Sequence, residues 1–191
     1  MIDAILLSII IRSILPTLSE ERIQAVSYDI VAVVNEELTS INNIHDLTTG
    51  VSLLSGVVIG ESGLREDVES CKVMGDRGRS IGLGQVMSGP NWLGYTRKEI
   101  CSDRKLQLKI SLHVLDICAK FVKSNADTVA IFRCYTTGDF RKDVYIARYE
   151  NKLSKEVNNA IFLNNYLEQV RRGNWLLGNY KPYLSRSSIS F

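Results

Sequence analysis

Proline is scarce, with three residues in a chain of 191. No internal repeat, low-complexity segment or obvious linker interrupts the sequence, so collagen-like, disordered and coiled-coil classes are excluded. The four cysteines, Cys71, Cys101, Cys118 and Cys134, form no CxxC pair and no Cys/His cluster at metal-ligand spacing, which argues against a zinc site. Neither sign of charge dominates. A net charge of +2 and a pI near 8.3 are too mild to mark a nucleic-acid binder, and none is expected as a partner. No apolar run is long enough to span a bilayer comfortably. The nearest approach is residues 1–15, where Asp3 stands in place of the basic residue of a signal peptide and Arg12 interrupts the run. We read this segment as a helix buried in the fold or against a partner. A membrane anchor is the alternative, and no stable membrane span is expected.

What is present suits one globular domain: 45% hydrophobic and 23% charged residues, and enough length for one sizeable core. The charge is uneven at the end. After Glu168 come Arg171, Arg172, Lys181 and Arg186 and no acid, which reads as a solvated terminus or as a docking surface for an anionic partner. An even number of cysteines fits an oxidising destination, with free buried thiols as the alternative.

The periodicity is mostly helical. Thr17-Leu18-Ser19-Glu20 reads as a capping box after Pro16, and Ile23, Val26, Ile30, Val33 and Val34 recur at helical spacing to about Leu38. Residues 41–46 read as a loop. Thr48 or Thr49 is positioned to cap a helix through Val51, Leu54, Val57 and Val58 that ends near Gly60-Glu61. Residues 62–95 are rich in glycine and charge and read as a long functional loop region with a small hairpin. Ser102 is expected to cap a long helix carrying Leu106, Leu108, Ile110, Leu112, Leu115 and Phe121. Asn125 or Asp127 starts another, over residues 129–134, which stops at Tyr135-Thr136-Thr137-Gly138. Residues 144–170 read as helical, with a break near Ser154, and residues 173–191 as an irregular aromatic tail. The organisation expected is an N-terminal helical extension (1–47) packing on a core (48–153), followed by a helix and basic tail (154–191).

The chemistry concentrates in the middle. Glu61 closes the apolar run Val57-Val58-Ile59-Gly60, and apolar neighbours disfavour the charged form of a carboxylate, as a general acid requires. About twenty residues on, Gly78-Arg79-Ser80-Ile81-Gly82-Leu83-Gly84-Gln85-Val86 combines glycines that allow close backbone approach with one amide that both donates and accepts. Such groups suit a sugar. Tyr135-Thr136-Thr137-Gly138 and then Tyr149 add an aromatic, hydroxyls and a second tyrosine.

Taken in order, Glu-Ser-Gly-Leu, Gly-Leu-Gly-Gln, Tyr-Thr-Thr-Gly and a later Tyr resemble the motif set of the soluble lytic transglycosylase and goose-type lysozyme family. The likeness covers roughly residues 53–153, about half the chain. The stretch Gly75-Asp76-Arg77-Gly78-Arg79-Ser80, flanked by cysteines, is similar to phage and secretion-associated members. The resemblance implies a mostly α, lysozyme-like (α+β) fold, with the glycine-rich region flanking an active-site cleft. It implies Glu61 as the catalytic acid/base and Ser62 as a residue that orients substrate or the acid. Gln85 matches a substrate-contacting amide, with Gly82 and Gly84 letting the glycan lie close. Tyr135 and Tyr149 match the aromatic of the third motif and the later tyrosine bordering the acid. Thr136 stands where the family has Asn, which changes the hydrogen bonding offered to the reacting sugar.

The activity implied is cleavage of peptidoglycan between N-acetylmuramic acid and N-acetylglucosamine with one carboxylate and no metal or organic cofactor. A hydrolytic version needs a second carboxylate, for which Glu66, Asp67, Glu69 and Asp76 are the nearby candidates. Cys71 is expected to pair with Cys101, pinning the glycine-rich loop, and Cys118 with Cys134. A wall-cleaving enzyme with no recognisable signal peptide needs another route to its substrate. Carriage in a phage virion is the context expected, with the N-terminal helix and basic tail docking on other virion proteins; a holin-dependent endolysin or a bacterial secretion-associated wall enzyme, acting at an extracellular or periplasmic site, is the alternative. A structural or adaptor protein that binds glycan without cutting it is the alternative from a different class.

Overall fold

The computed structural model of the chain describes residues 4–87, 89, 92–122 and 128–137. Within them the protein is mostly helical, with one small two-stranded sheet. The helices are α1 (Ala4–Ile14), α2 (Glu20–Glu37), α3 (Leu47–Ser62), α4 (Glu66–Glu69), α5 (Arg97–Ser102), α6 (Arg104–Val122) and α7 (Thr128–Thr137). Between α4 and α5 lie a 3-10 turn at Asp76–Gly78 and the hairpin of β1 (Ser80–Ile81) and β2 (Val86–Met87).

The apolar N-terminal run folds back on the domain. Leu6, Leu7, Ile10 and Ile11 of α1 are buried, and α1 packs on α2. At about 1.5–3 kcal/mol for each large side chain removed from water, this face holds α1 to the fold. Among the described residues no helix is long and apolar enough to cross a membrane. α2, α3, α6 and α7 share the same core, with Ile30, Val34, Leu54, Val58, Leu108, Leu112 and Phe132 among its buried members. α3 is buried on nearly all sides: its residues are aliphatic or small and uncharged as far as Glu61, with Thr48, Ser52 and Ser55 among those enclosed. A second, smaller cluster joins Ile81 and Val86 of the hairpin to Ile100 of α5 and Ile110 of α6.

Several helix starts differ from the sequence expectation. Ser19 caps α2, its hydroxyl accepting from Arg22 N–H at 3.2 Å, in place of a box begun by Thr17. Asp46 caps α3, accepting from Thr49 N–H at 2.9 Å, and displaces Thr48 and Thr49, because a carboxylate immediately before the first helical residue reaches the free amides as well. Ser102 ends the short helix α5, which opens on a Thr96/Glu99 capping box, while the Asp103 carboxylate accepts from Leu106 N–H at 3.1 Å where α6 begins. α7 runs on to Thr137, so Tyr135 and Thr136 lie in its last turns. Asn125, Asp127, residues 144–170 and the tail fall outside the described residues.

Polar ties lock the helices together. The Asp116 carboxylate on α6 accepts from the backbone N–H groups of Asn42, Asn43 and Ile44 at 3.4, 2.7 and 3.1 Å and from the Asn43 side-chain amide at 2.9 Å, fixing the α2–α3 loop. Glu37 at the end of α2 receives hydrogen bonds from Lys109 (2.7 Å) and His113 (3.0 Å) of α6. Both expected disulfides are present. Cys71–Cys101 ties the segment after α4 to α5, and Cys118–Cys134 ties α6 to α7, with Cα atoms 5.5 and 5.6 Å apart.

Candidate active site

Glu61 sits half-buried in the last turn of α3. The helix stops there because Gly63 adopts the left-handed conformation (φ 57°) and its N–H closes on Ile59 O at 2.9 Å. Ser62 is buried and spends its hydroxyl on the same corner, donating to Val58 O at 2.6 Å and accepting from Leu64 N–H at 3.1 Å. Arg22 Nε reaches across from α2 to Leu64 O at 3.0 Å. The Arg22 guanidinium also pairs with Glu69, which lies 3.8 Å from Arg104, and Arg104 donates to Asp29 at 2.6 Å. This chain of charges fixes the turn that follows Glu61. None of its members was singled out from the sequence for that role; the signal lay in an arginine early in α2 and in two acids, Asp29 and Glu69, that only the fold brings within reach.

The Gly82-Leu83-Gly84-Gln85 motif is the loop of the hairpin, joining β1 to β2 in the register Ser80↔Met87 and Ile81↔Val86. Leu83 at its tip is fully buried in the main core, so the loop is plugged into the helices. Gly82 has φ 72° and lies against the Gln107 side chain, whose atoms come within 2.8–3.0 Å of the point a Cβ would occupy. At Gly84 a Cβ would collide with Ser111 Oγ and lie 2.6 Å from the Tyr135 hydroxyl. Both glycines are therefore required by the approach of α6 and α7 to the loop, independently of any ligand. Gln85, at φ 49°, is half-buried, and its side-chain amide donates to Gly82 O at 2.9 Å.

Tyr135 meets this loop directly: its hydroxyl donates to Gly84 O at 2.8 Å. The second and third motifs are thus in contact. Thr136 follows it on α7, half-buried, and Tyr149 lies outside the described residues. The residues missed in the sequence are Gln107 and Ser111, one helical turn apart on the buried face of α6. Two polar residues among Leu108, Ile110 and Leu112 were the available signal.

The acids considered for a hydrolytic role are mostly occupied. Asp67 pairs with Arg65 at 3.4 Å, Glu69 with Arg22, and Asp76 accepts from the Ser80 hydroxyl at 2.6 Å, while Glu66 is exposed at the start of α4. An open depression of about 610 Å³ is lined by Arg22, Glu66, Asp67, Glu69, Lys72 and Arg104, among others; neither Glu61, Gln85 nor Tyr135 borders it. Among the described residues no group of three or more His, Cys, Asp or Glu is placed to hold a metal ion. In comparison with known proteins, no family model, no curated protein and no solved structure matches the chain.

Proposed function

We propose that the protein is a peptidoglycan lytic transglycosylase with a lysozyme-like fold, in which Glu61 is the catalytic acid/base. The observation that carries this reading is the hydrogen bond from Tyr135 to Gly84, which joins two motifs 51 residues apart in the sequence. Both sit on α6, and α6 packs on α3, the helix that ends in Glu61-Ser62.

In the chemistry proposed, neutral Glu61 protonates the glycosidic oxygen between N-acetylmuramic acid and N-acetylglucosamine, and the C1–O4 bond breaks. The 2-acetamido carbonyl of the muramic acid stabilises the oxocarbenium-like centre. The Glu61 carboxylate then takes the proton from the C6 hydroxyl of the same sugar as that oxygen bonds to C1, which gives a 1,6-anhydro end and restores the acid. Gln85 and Tyr135 border the glycan. Glu69 and Asp76 are engaged in other contacts, which leaves Glu66 and the half-exposed Arg65–Asp67 pair as the carboxylates a hydrolytic route would draw on. The disulfides favour an oxidising site of action, outside the cytosol.

Two observations favour a second reading, a glycan-binding scaffold protein. Protein side chains fill the space above Gly82 and Gly84, and Thr136 replaces the family's Asn. Product analysis on purified glycan strands separates the possibilities. Anhydro-muramic ends are expected, reducing ends would mean hydrolysis, and binding without cleavage would mean the scaffold.

A further inference from the structure

The Gln107 side chain is 2% exposed on α6, and its amide makes three hydrogen bonds to backbone groups. Oε1 accepts from Leu83 N–H at 2.8 Å. Nε2 donates to Glu69 O and to Ile100 O, each at 2.8 Å. Its three partners belong to three separate segments: the hairpin loop, the end of α4 and α5. Two of them stand next to the Cys71–Cys101 bridge in sequence, Glu69 two residues before Cys71 and Ile100 one before Cys101.

A buried amide costs stability unless its groups are satisfied, and an apolar side chain of equal size would fill the same space. What the amide adds is direction, because it holds three backbone groups in one fixed relation. Gly82 leans on the same side chain, and Gln85 follows Leu83 by two residues, with its own amide bound back to Gly82 O. The place of Gln85 is therefore inherited from residues that Gln107 holds. The geometry points to Gln107 as a positioning residue that sets the substrate loop for glycan binding, an assignment that rests on the transglycosylase reading of Glu61 and Gln85.

Gln107→Met keeps length and approximate volume and removes the amide. With purified glycan strands as substrate, KM is expected to rise about tenfold with kcat within about threefold, the loss of roughly one net hydrogen bond's worth of ground-state contact. Hydrogen exchange at the Leu83 amide is expected to speed up by about tenfold or more in the same variant. Leu108→Ala, the neighbouring core residue, is the control for simple destabilisation and should lower the melting temperature with KM unchanged. If Gln107→Met fails to fold, Gln107→Glu serves. Its ionised carboxylate faces two carbonyl oxygens, so its KM should fall towards the wild-type value as the pH is lowered from about 8 to about 5 and the acid becomes a donor. A Gln107→Met enzyme with wild-type KM, or a Gln107→Glu enzyme whose KM follows the wild-type pH profile, overturns the assignment while leaving the transglycosylase reading intact. A folded wild type that cleaves no glycan defeats that reading and the role of Gln107 with it.

Discussion

The Tyr135 hydroxyl donates to the Gly84 carbonyl at 2.8 Å, so the last turns of α7 and the hairpin loop are fastened to each other across 51 residues of sequence. Tyr135 follows Cys134 directly, and the Cys118–Cys134 bridge fixes α7 to α6 at that point. The loop is thus held from two sides, by Tyr135 of α7 and by Gln107 and Ser111 of α6.

Tyr135→Phe keeps the ring and removes this bond. The expected cost is about 1 kcal/mol of stability, read as a fall of a few degrees in melting temperature. Gly84→Ala should cost more, roughly 1–3 kcal/mol, because its methyl meets Ser111 and the Tyr135 hydroxyl in a packed site. Denaturant unfolding of both variants checks the order, and an Ala as benign as the Phe would contradict the close approach.

Asp116→Ala strips the acceptor from three backbone N–H groups of the α2–α3 loop and should destabilise the protein by about 3 kcal/mol or more. Asp116→Asn, which keeps one acceptor oxygen, should fall between the two. Equilibrium unfolding measures both.

Burial by itself pushes the Glu37 carboxyl up, but hydrogen bonds from Lys109, then His113 and Ser40, outweigh it and hold the pKa at about 2. Since the folded value lies below the ordinary 4.5, the stability this group contributes is fully present above about pH 4.5 and is lost as the pH falls towards 2. At the alkaline end the Glu37 hydrogen bond raises the Lys109 pKa, so the same tie persists until Lys109 loses its proton. Lys109→Met should flatten the acid limb of the stability profile, measured by urea unfolding across that range; an unchanged limb would mean that Glu37 draws little from Lys109.

The two disulfides should differ in their response to reductant. Cys118 and Cys134 are 2% and 3% exposed, whereas Cys71 and Cys101 are half-buried, so a mild dithiol should open Cys71–Cys101 first. Closing a loop over a sequence separation of 30 residues stabilises by about 3–4 kcal/mol on a chain-entropy estimate, which sets the expected loss for Cys71→Ser with Cys101→Ser. Alkylation and peptide mass mapping follow the order of opening, and unfolding of the double variant gives the magnitude.

The sequence was most legible where one physical signal dominated. Helical periodicity in Ile23 to Val34 and Val51 to Val58 located α2 and α3; Cys71 and Cys101 bracket the glycine-rich loop they were expected to pin, and Cys118 and Cys134 lie on the neighbouring helices they were expected to join. Helix starts were less legible, because Ser19, Asp46 and Asp103 compete locally with Thr17, Thr48 and Ser102, and only the chain path decides which side chain reaches the free amides. The short helix α5 escaped notice because its six residues bury little beyond Ile100. The charges around Arg22 and the Gln107 amide were hidden for a different reason: their partners are distant in sequence, and the pairing exists only once α2, α4 and α6 have packed.

The central claim, that Glu61 is the acid/base of a glycan-cleaving site, is tested most directly by mass spectrometry of the muropeptides released from purified peptidoglycan by the wild type and by Glu61→Gln. The account predicts anhydro-muropeptides from the wild type and none from a Glu61→Gln protein that melts at the wild-type temperature. Equal release by the two, or no release by a folded wild type, would contradict it.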